Sequence, residues 1–148
     1  MKILLAVGDE QTATGLTQSL AAQLYLVNAV DDGQSALELA EVFDYDLILL
    51  DVELPRLDGI SLCYKLRAKG QRTPILLLTA AGSTHDHSLG LEAGANDSVT
   101  KPYDLPELLA RIRVLLRPGH PIPSQPAEDR ERRRWADREN SFKSSNCA

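Results

Sequence analysis

Three side chains in this 148-residue chain could share one piece of chemistry. Asp51 follows the apolar run Leu47-Ile48-Leu49-Leu50, Thr79 follows Ile75-Leu76-Leu77-Leu78, and Lys101 follows Ser98-Val99-Thr100. A carboxylate can attack phosphorus, a hydroxyl can bond a phosphoryl oxygen, and an ammonium can neutralise the charge that arrives. Each residue also has an ordinary explanation by itself: a turn or helix cap, a strand end, a solvated charge. Position gives them joint meaning, because all three stand just beyond successive apolar runs. Brought to one sheet edge, they would make a phosphoryl acceptor.

The elements that must position them are legible as alternating patterns. Five short apolar runs read as strands: Ile3–Val7, Tyr25–Val30, Leu47–Leu50, Ile75–Leu78 and the weaker Ser98–Thr100. Between them the apolar residues take a helical period. Leu16, Leu20 and Leu24 form one stripe, Ala36, Leu37, Ala40 and Phe43 a second, and Ile60, Tyr64, Leu66 and Arg67 a third. Leu105, Leu108, Leu109, Ile112, Leu115 and Leu116 form the last. Strands alternating with helices predict a parallel sheet covered on both faces. Continuous runs such as Leu-Ile-Leu-Leu suit strands buried on both sides. The expectation is an α/β, flavodoxin-like, doubly wound domain of five strands in the order 2-1-3-4-5, with five helices. Such folds gather functional residues at the C-terminal strand ends, where Asp51, Thr79 and Lys101 lie.

Composition sets the limits. Hydrophobic residues make up 43% and charged residues 25%, as expected for one globular domain. No apolar run approaches the ~18 residues of a membrane span. Ile3–Val7 is too short for a signal-peptide core, so a cytoplasmic chain is expected. Cys63 and Cys147 are far apart and have no metal-ligand spacing, which argues against a disulfide. The net charge of −5 argues against nucleic-acid binding by the whole chain. Through Arg117 there are 10 Lys and Arg against 16 Asp and Glu; beyond it the counts are 6 and 5. The second part opens with Pro118, Gly119, Pro121, Pro123 and Pro126, then runs into mixed charge from Glu128 to Arg134. We therefore place a domain at 1–117 and expect 118–148 to be a Pro-rich, then charged, disordered tail or linker. The Arg132-Arg133-Arg134-Trp135 cluster reads as part of that solvated tail.

The motifs add a family likeness. Lys2-Ile3-Leu4-Leu5, Asp46 through Pro55, Asp58-Gly59, Leu77-Leu78-Thr79-Ala80, Gly90 through Ala95 and Thr100-Lys101-Pro102 resemble the receiver domains of OmpR/PhoB-type response regulators, whose fold is CheY-like. The likeness covers residues 1–117 without gaps. It implies that Asp51 is the phosphoacceptor, Thr79 the switch hydroxyl and Lys101 the phosphate-binding lysine, with Ala80 leaving the acceptor accessible. It also implies a cis peptide before Pro102, a sensor histidine kinase as partner, and Mg²⁺ as cofactor.

Two departures qualify this. The family carries an acidic pair at the end of its first strand to hold Mg²⁺, and ungapped counting puts Val7 and Gly8 there. Asp9 falls one place later, where it reads as a helix cap; a one-residue slip would move it into the pair but turn Leu16 and Leu20 off the core. Asp51, Glu53 and Asp9 are then the candidate metal ligands, and Mg²⁺ binding is expected to be weak or absent. The family's inward-turning aromatic residue is here Ser98, too small to fill the gap beside Thr79.

The likeness further implies a homodimer through the fourth helix, fifth strand and fifth helix. Asp97 and Arg111 match an ion pair on that face, and Glu107 faces the position of His87, where a Lys or Arg is usual. Four charges on solvated faces are the plainer alternative. Contact with DNA is expected only through an effector domain outside this sequence, and no membrane association is expected. Three functions stay open: a phosphorylated signalling module, a phosphate-independent pseudo-receiver that dimerises or binds a partner, and an Asp-nucleophile phosphatase. The last is the least supported, because Glu53 stands two residues after Asp51 where such an enzyme needs a second Asp.

Overall fold

A computed structural model describes residues 1–80 and 82–117. The expected boundary at residue 118, the tail and Cys147 lie outside the described residues. Strand β1 (Lys2–Ala6) leads to α1 (Glu10–Ala22), β2 (Leu26–Val30) to α2 (Gly33–Val42), and β3 (Leu47–Asp51) to α3 (Gly59–Ala68). Then follow β4 (Ile75–Thr79), α4 (Thr84–Glu92), β5 (Asp97–Thr100) and α5 (Leu105–Leu115). All pairings are parallel, in the order β2-β1-β3-β4-β5. The expected doubly wound fold is the observed one.

Alternation along the strands builds two cores. Leu4, Ala6, Ile48, Leu50, Ile75 and Leu77 pack with Ala36, Ala40, Leu62, Cys63 and Leu66 of α2 and α3. Ile3, Leu5, Leu47, Leu49, Leu76 and Leu78 pack with Leu16, Leu20, Leu108, Ile112 and Leu115 of α1 and α5. Each central strand buries both faces, so polar groups can enter the sheet only at strand ends. Asp51 and Thr79 do this, as the last residues of β3 and β4.

The helical stripes hold with three corrections. Leu24 is not on the α1 stripe: the helix stops two residues earlier, and Leu24 closes it in a left-handed conformation (φ 68°), 87% exposed. That position usually takes glycine, so leucine there hides the stop signal. Phe43 caps α2 half-exposed, its ring 5.5 Å from the Lys2 ammonium. On α3 the core residues are Leu62, Cys63 and Leu66, while Tyr64 points outward. Arg67 is buried at 2% exposure and donates to the carbonyls of Gly94, Gln71 and Thr73 and to Asn96 Oδ1. Helix α4 buries the least of the five helices, with Gly90 its one buried residue against Leu77.

Three helices begin with the same device. Asp9, Asp32 and Asp58 are the N-caps of α1, α2 and α3, each accepting from the backbone N–H three residues on, at Thr12, Ser35 and Ser61. The Thr12, Ser35 and Ser61 hydroxyls also donate to those carboxylates, at 2.6 to 2.8 Å. Asp32 is buried and also pairs with Arg56 at 3.4 Å. Its carboxyl is held below the ordinary 3.8 by the Ser35 N–H, against the opposing effect of burial and with help from the Ser35 hydroxyl and Arg56. A carboxylate with a lowered pKa contributes stability above its ordinary value and loses it as pH falls through the lowered one. Asp32→Ala should therefore cost about 1–2 kcal/mol in urea unfolding near pH 7. The gap to the unmodified chain should narrow in acid.

Candidate functional site

The candidate site is assembled by three neighbouring strands. Asp51 is 4% exposed at the end of β3. The register sets it opposite Leu78, so Thr79 lies one step further along β4, opposite Thr100 of β5. Thr79 is 1% exposed, and its carbonyl accepts from the Lys101 N–H at 2.8 Å. Half-buried Ala80 follows it, and the Lys101–Pro102 peptide is cis, as the likeness implied. Gly59, the first residue of α3, packs so closely that a Cβ there would lie 2.3 Å from the Asp51 carbonyl oxygen. Only glycine lets α3 start against the end of β3.

Lys101 dominates the electrostatics. Its Nζ donates to Asp51 Oδ1 at 3.0 Å and Oδ2 at 2.9 Å, and reaches Glu53 Oε1 at 3.4 Å. The Glu53 backbone N–H donates to Asp51 Oδ1 at 2.9 Å. Burial of the lysine favours its neutral form, but the hydrogen bonds and charge of Asp51, then Glu53, outweigh it and raise the pKa above the usual 10.5. Lys101 is therefore charged throughout the physiological range. The stabilisation it gains is full below the ordinary lysine value and is lost in strong base.

The candidate metal ligands do not converge. Val7 is buried in the core shared by α1 and α5. Gly8 adjoins the Glu53 carbonyl: a Cβ built there would sit 3.6 Å from that oxygen. Position 8 thus faces the acceptor loop but brings no carboxylate. Asp9 is committed to Thr12, whose hydroxyl and N–H lower its pKa. Asp9 caps α1 while Leu16 and Leu20 stay in the core. The Glu53 side chain is 69% exposed and leans on Lys101. Among the described residues no group of three or more His, Cys, Asp or Glu is placed to hold a metal ion. The residues present do not fit a divalent-cation site.

On the far edge, Arg111 bridges Asp97 at 2.6 Å and Glu107 at 3.0 Å within the one chain. His87 turns to Ser98, hydrogen-bonding its hydroxyl through Nδ1. A cavity of about 390 Å³ lies there, lined by Gly82, Ser83, Thr84, His87, Ser98 and Thr100. Sequence reasoning missed the Lys101–Glu53 contact and the His87–Ser98 bond. A two-residue spacing from Asp51 could have suggested the first, and nothing in the sequence signals the second.

The doubly wound sheet thus carries a buried, lysine-paired aspartate at the end of its central strand, with a threonine ending the neighbouring strand. The comparisons give its family. The chain belongs to the response regulator receiver domain family, whose sequence model matches residues 3–113. It is 50% identical over 125 residues to protein RcaC of Microchaete diplosiphon, covering 83% of this chain and 19% of that protein. It is 44% identical over 124 residues to the transcriptional regulatory protein HprR of Escherichia coli, covering 84% of this chain and 55% of HprR. The chain thus spans about half or less of these relatives' length. Among solved structures, the receiver domain of sensor histidine kinase PA1611 from Pseudomonas aeruginosa, with magnesium coordinated in its active-site cleft, matches at TM-score 0.72. That match is 37% identical and covers 78% of this chain and 96% of that one.

Crowded carboxylates destabilise a pocket by mutual repulsion, and neutralising one of them then stabilises the fold. Here Asp51 is already matched by Lys101. Asp51→Asn should raise unfolding stability by less than ~2 kcal/mol, or lower it, because the lysine loses its partner. Chemical denaturation of both chains measures this directly.

Proposed function

We propose that this chain is a phosphoacceptor module of a two-component phosphorelay controlling transcription, receiving a phosphoryl group on Asp51 from a cognate sensor histidine kinase in the cytoplasm. The observation that carries the reading is the buried Asp51 held by the Lys101 ammonium through both oxygens. In the transfer, an Asp51 oxygen attacks phosphorus and forms the new O–P bond. The bond from phosphorus to the donor nitrogen breaks, and its electron pair leaves with the imidazole. Lys101 follows the arriving negative charge, Thr79 offers its hydroxyl, and small Ala80 leaves the approach open. DNA is reached through a separate effector domain, a role compatible with the greater length of HprR.

Metal support for this step is reduced. PA1611 coordinates magnesium in its cleft, but here Val7 and Gly8 supply no carboxylate at the end of β1, and Asp9 serves its helix. Phosphorylation is correspondingly slow. Incubation with acetyl phosphate should add one phosphoryl mass to the intact chain and none to Asp51→Asn; an unlabelled chain at every donor concentration refutes the reading. Mg²⁺ should bind at millimolar Kd or weaker, about −4 kcal/mol or less favourable. Gly8→Asp, which points a carboxylate at the Glu53 carbonyl, should tighten it in a calorimetric titration.

A second reading, association independent of phosphate, is favoured by the Asp97–Arg111–Glu107 network on β5 and α5. Since Arg111 is already satisfied within the chain, pairing across a two-fold face of α4, β5 and α5 exchanges one partner for another. The ion pairs would orient two copies more than bind them. A weak homodimer follows, loosened by salt. Arg111→Glu should abolish it in sedimentation, and adding Asp97→Arg should restore part of it.

A further inference from the structure

The mismatch between this pocket and a divalent cation has a positive counterpart. A metal ion needs oxygen ligands gathered around one point, typically with one or two carboxylates among them. At Asp51 both oxygens already face Lys101 Nζ, at 3.0 and 2.9 Å, and the next carboxylate, Glu53, reaches the same ammonium at 3.4 Å. The ammonium is therefore at the focus of the available negative charge. An incoming ion would have to compete with it for the same carboxylate. In return that ion would gain the Glu53 carbonyl, an exposed side chain and water, because Gly8 offers nothing and Asp9 is turned to Thr12.

We infer that Lys101 is the resident cation of the acceptor pocket in place of a divalent metal, so that Asp51 takes a phosphoryl group without Mg²⁺. The inference rests on the reading of Asp51 as phosphoacceptor. An ammonium has three donors and no fixed coordination geometry. It can release one Asp51 oxygen for attack, keep the other, and turn a hydrogen bond to the phosphoryl oxygens as they approach. No proton leaves the lysine. With acetyl phosphate as donor, the Asp51 O–P bond forms, the bond between phosphorus and the acetyl oxygen breaks, and acetate departs with the electron pair. A single charge stabilises that transfer less than a divalent ion does. The rate is low but indifferent to metal.

The experiment labels the full chain with acetyl phosphate in Mg²⁺ and in EDTA, reads intact mass, and follows melting temperature with Mg²⁺. Labelling rates that agree within about threefold, under 1 kcal/mol in barrier, support the inference, and a larger fall in EDTA overturns it. A chain that labels in neither condition refutes the phosphoacceptor reading alone, and melting then decides the cation. Mg²⁺ kept well below the millimolar Kd expected of the unmodified chain should leave its melting temperature unmoved and raise that of Lys101→Gln, where two carboxylates have lost their cation. A rise in the unmodified chain, or none in a folded Lys101→Gln, overturns the assignment. If Lys101→Gln does not fold, the unmodified chain's response to Mg²⁺ settles the matter.

Discussion

A carboxylate at 4% exposure survives in an apolar sheet only if a charge or several donors meet it, and here one ammonium and one backbone N–H do so. Much of the surrounding architecture serves that meeting. Asp51 can be the last residue of a strand buried on both faces because the strand ends there. Lys101 reaches it because β5 lies two strands away in a sheet whose parallel register brings Thr79 and Thr100 level. The Lys101 N–H to Thr79 carbonyl bond fixes the root of the lysine against β4. The pair is thus a property of the sheet order as much as of two residues.

The other carboxylates near this edge have separate occupations. Asp9, Asp32 and Asp58 repeat one motif, aspartate with a hydroxyl residue three positions on, and each neutralises the exposed N–H groups of a helix. Because the strands are parallel, every one of those helix starts falls on the same edge as Asp51. Proximity in the fold therefore does not imply a shared ligand. Geometry separates the three acidic residues that cap helices from Asp51 and Glu53, which meet Lys101.

Much of this was legible beforehand because it follows from period and burial. Leu47–Leu50 and Ile75–Leu78 cannot be solvated strands, and the alternation with helical stripes leaves few topologies. The cap at Asp9 was readable from the cost of turning Leu16 and Leu20 off the core. What escaped was the choice among polar partners within reach of a long side chain. Arg111 had Asp97 and Glu107 both available within its own chain and takes both. His87 meets Ser98. Lys101 adds Glu53 to Asp51 for the same reason. Leu24 misled in another way: a leucine in a left-handed turn extends a periodicity that the backbone has already abandoned.

Helix α4 buries one glycine where α2 and α3 bury four or five residues each. Its Gly90 lies so close to Leu77 that a side chain there would collide with it. Free energies of local opening scale with the apolar contacts an element must surrender. In a hydrogen-exchange experiment this segment is where amides would trade with solvent far faster than global unfolding permits. The domain thus carries a soft panel beside a rigid frame.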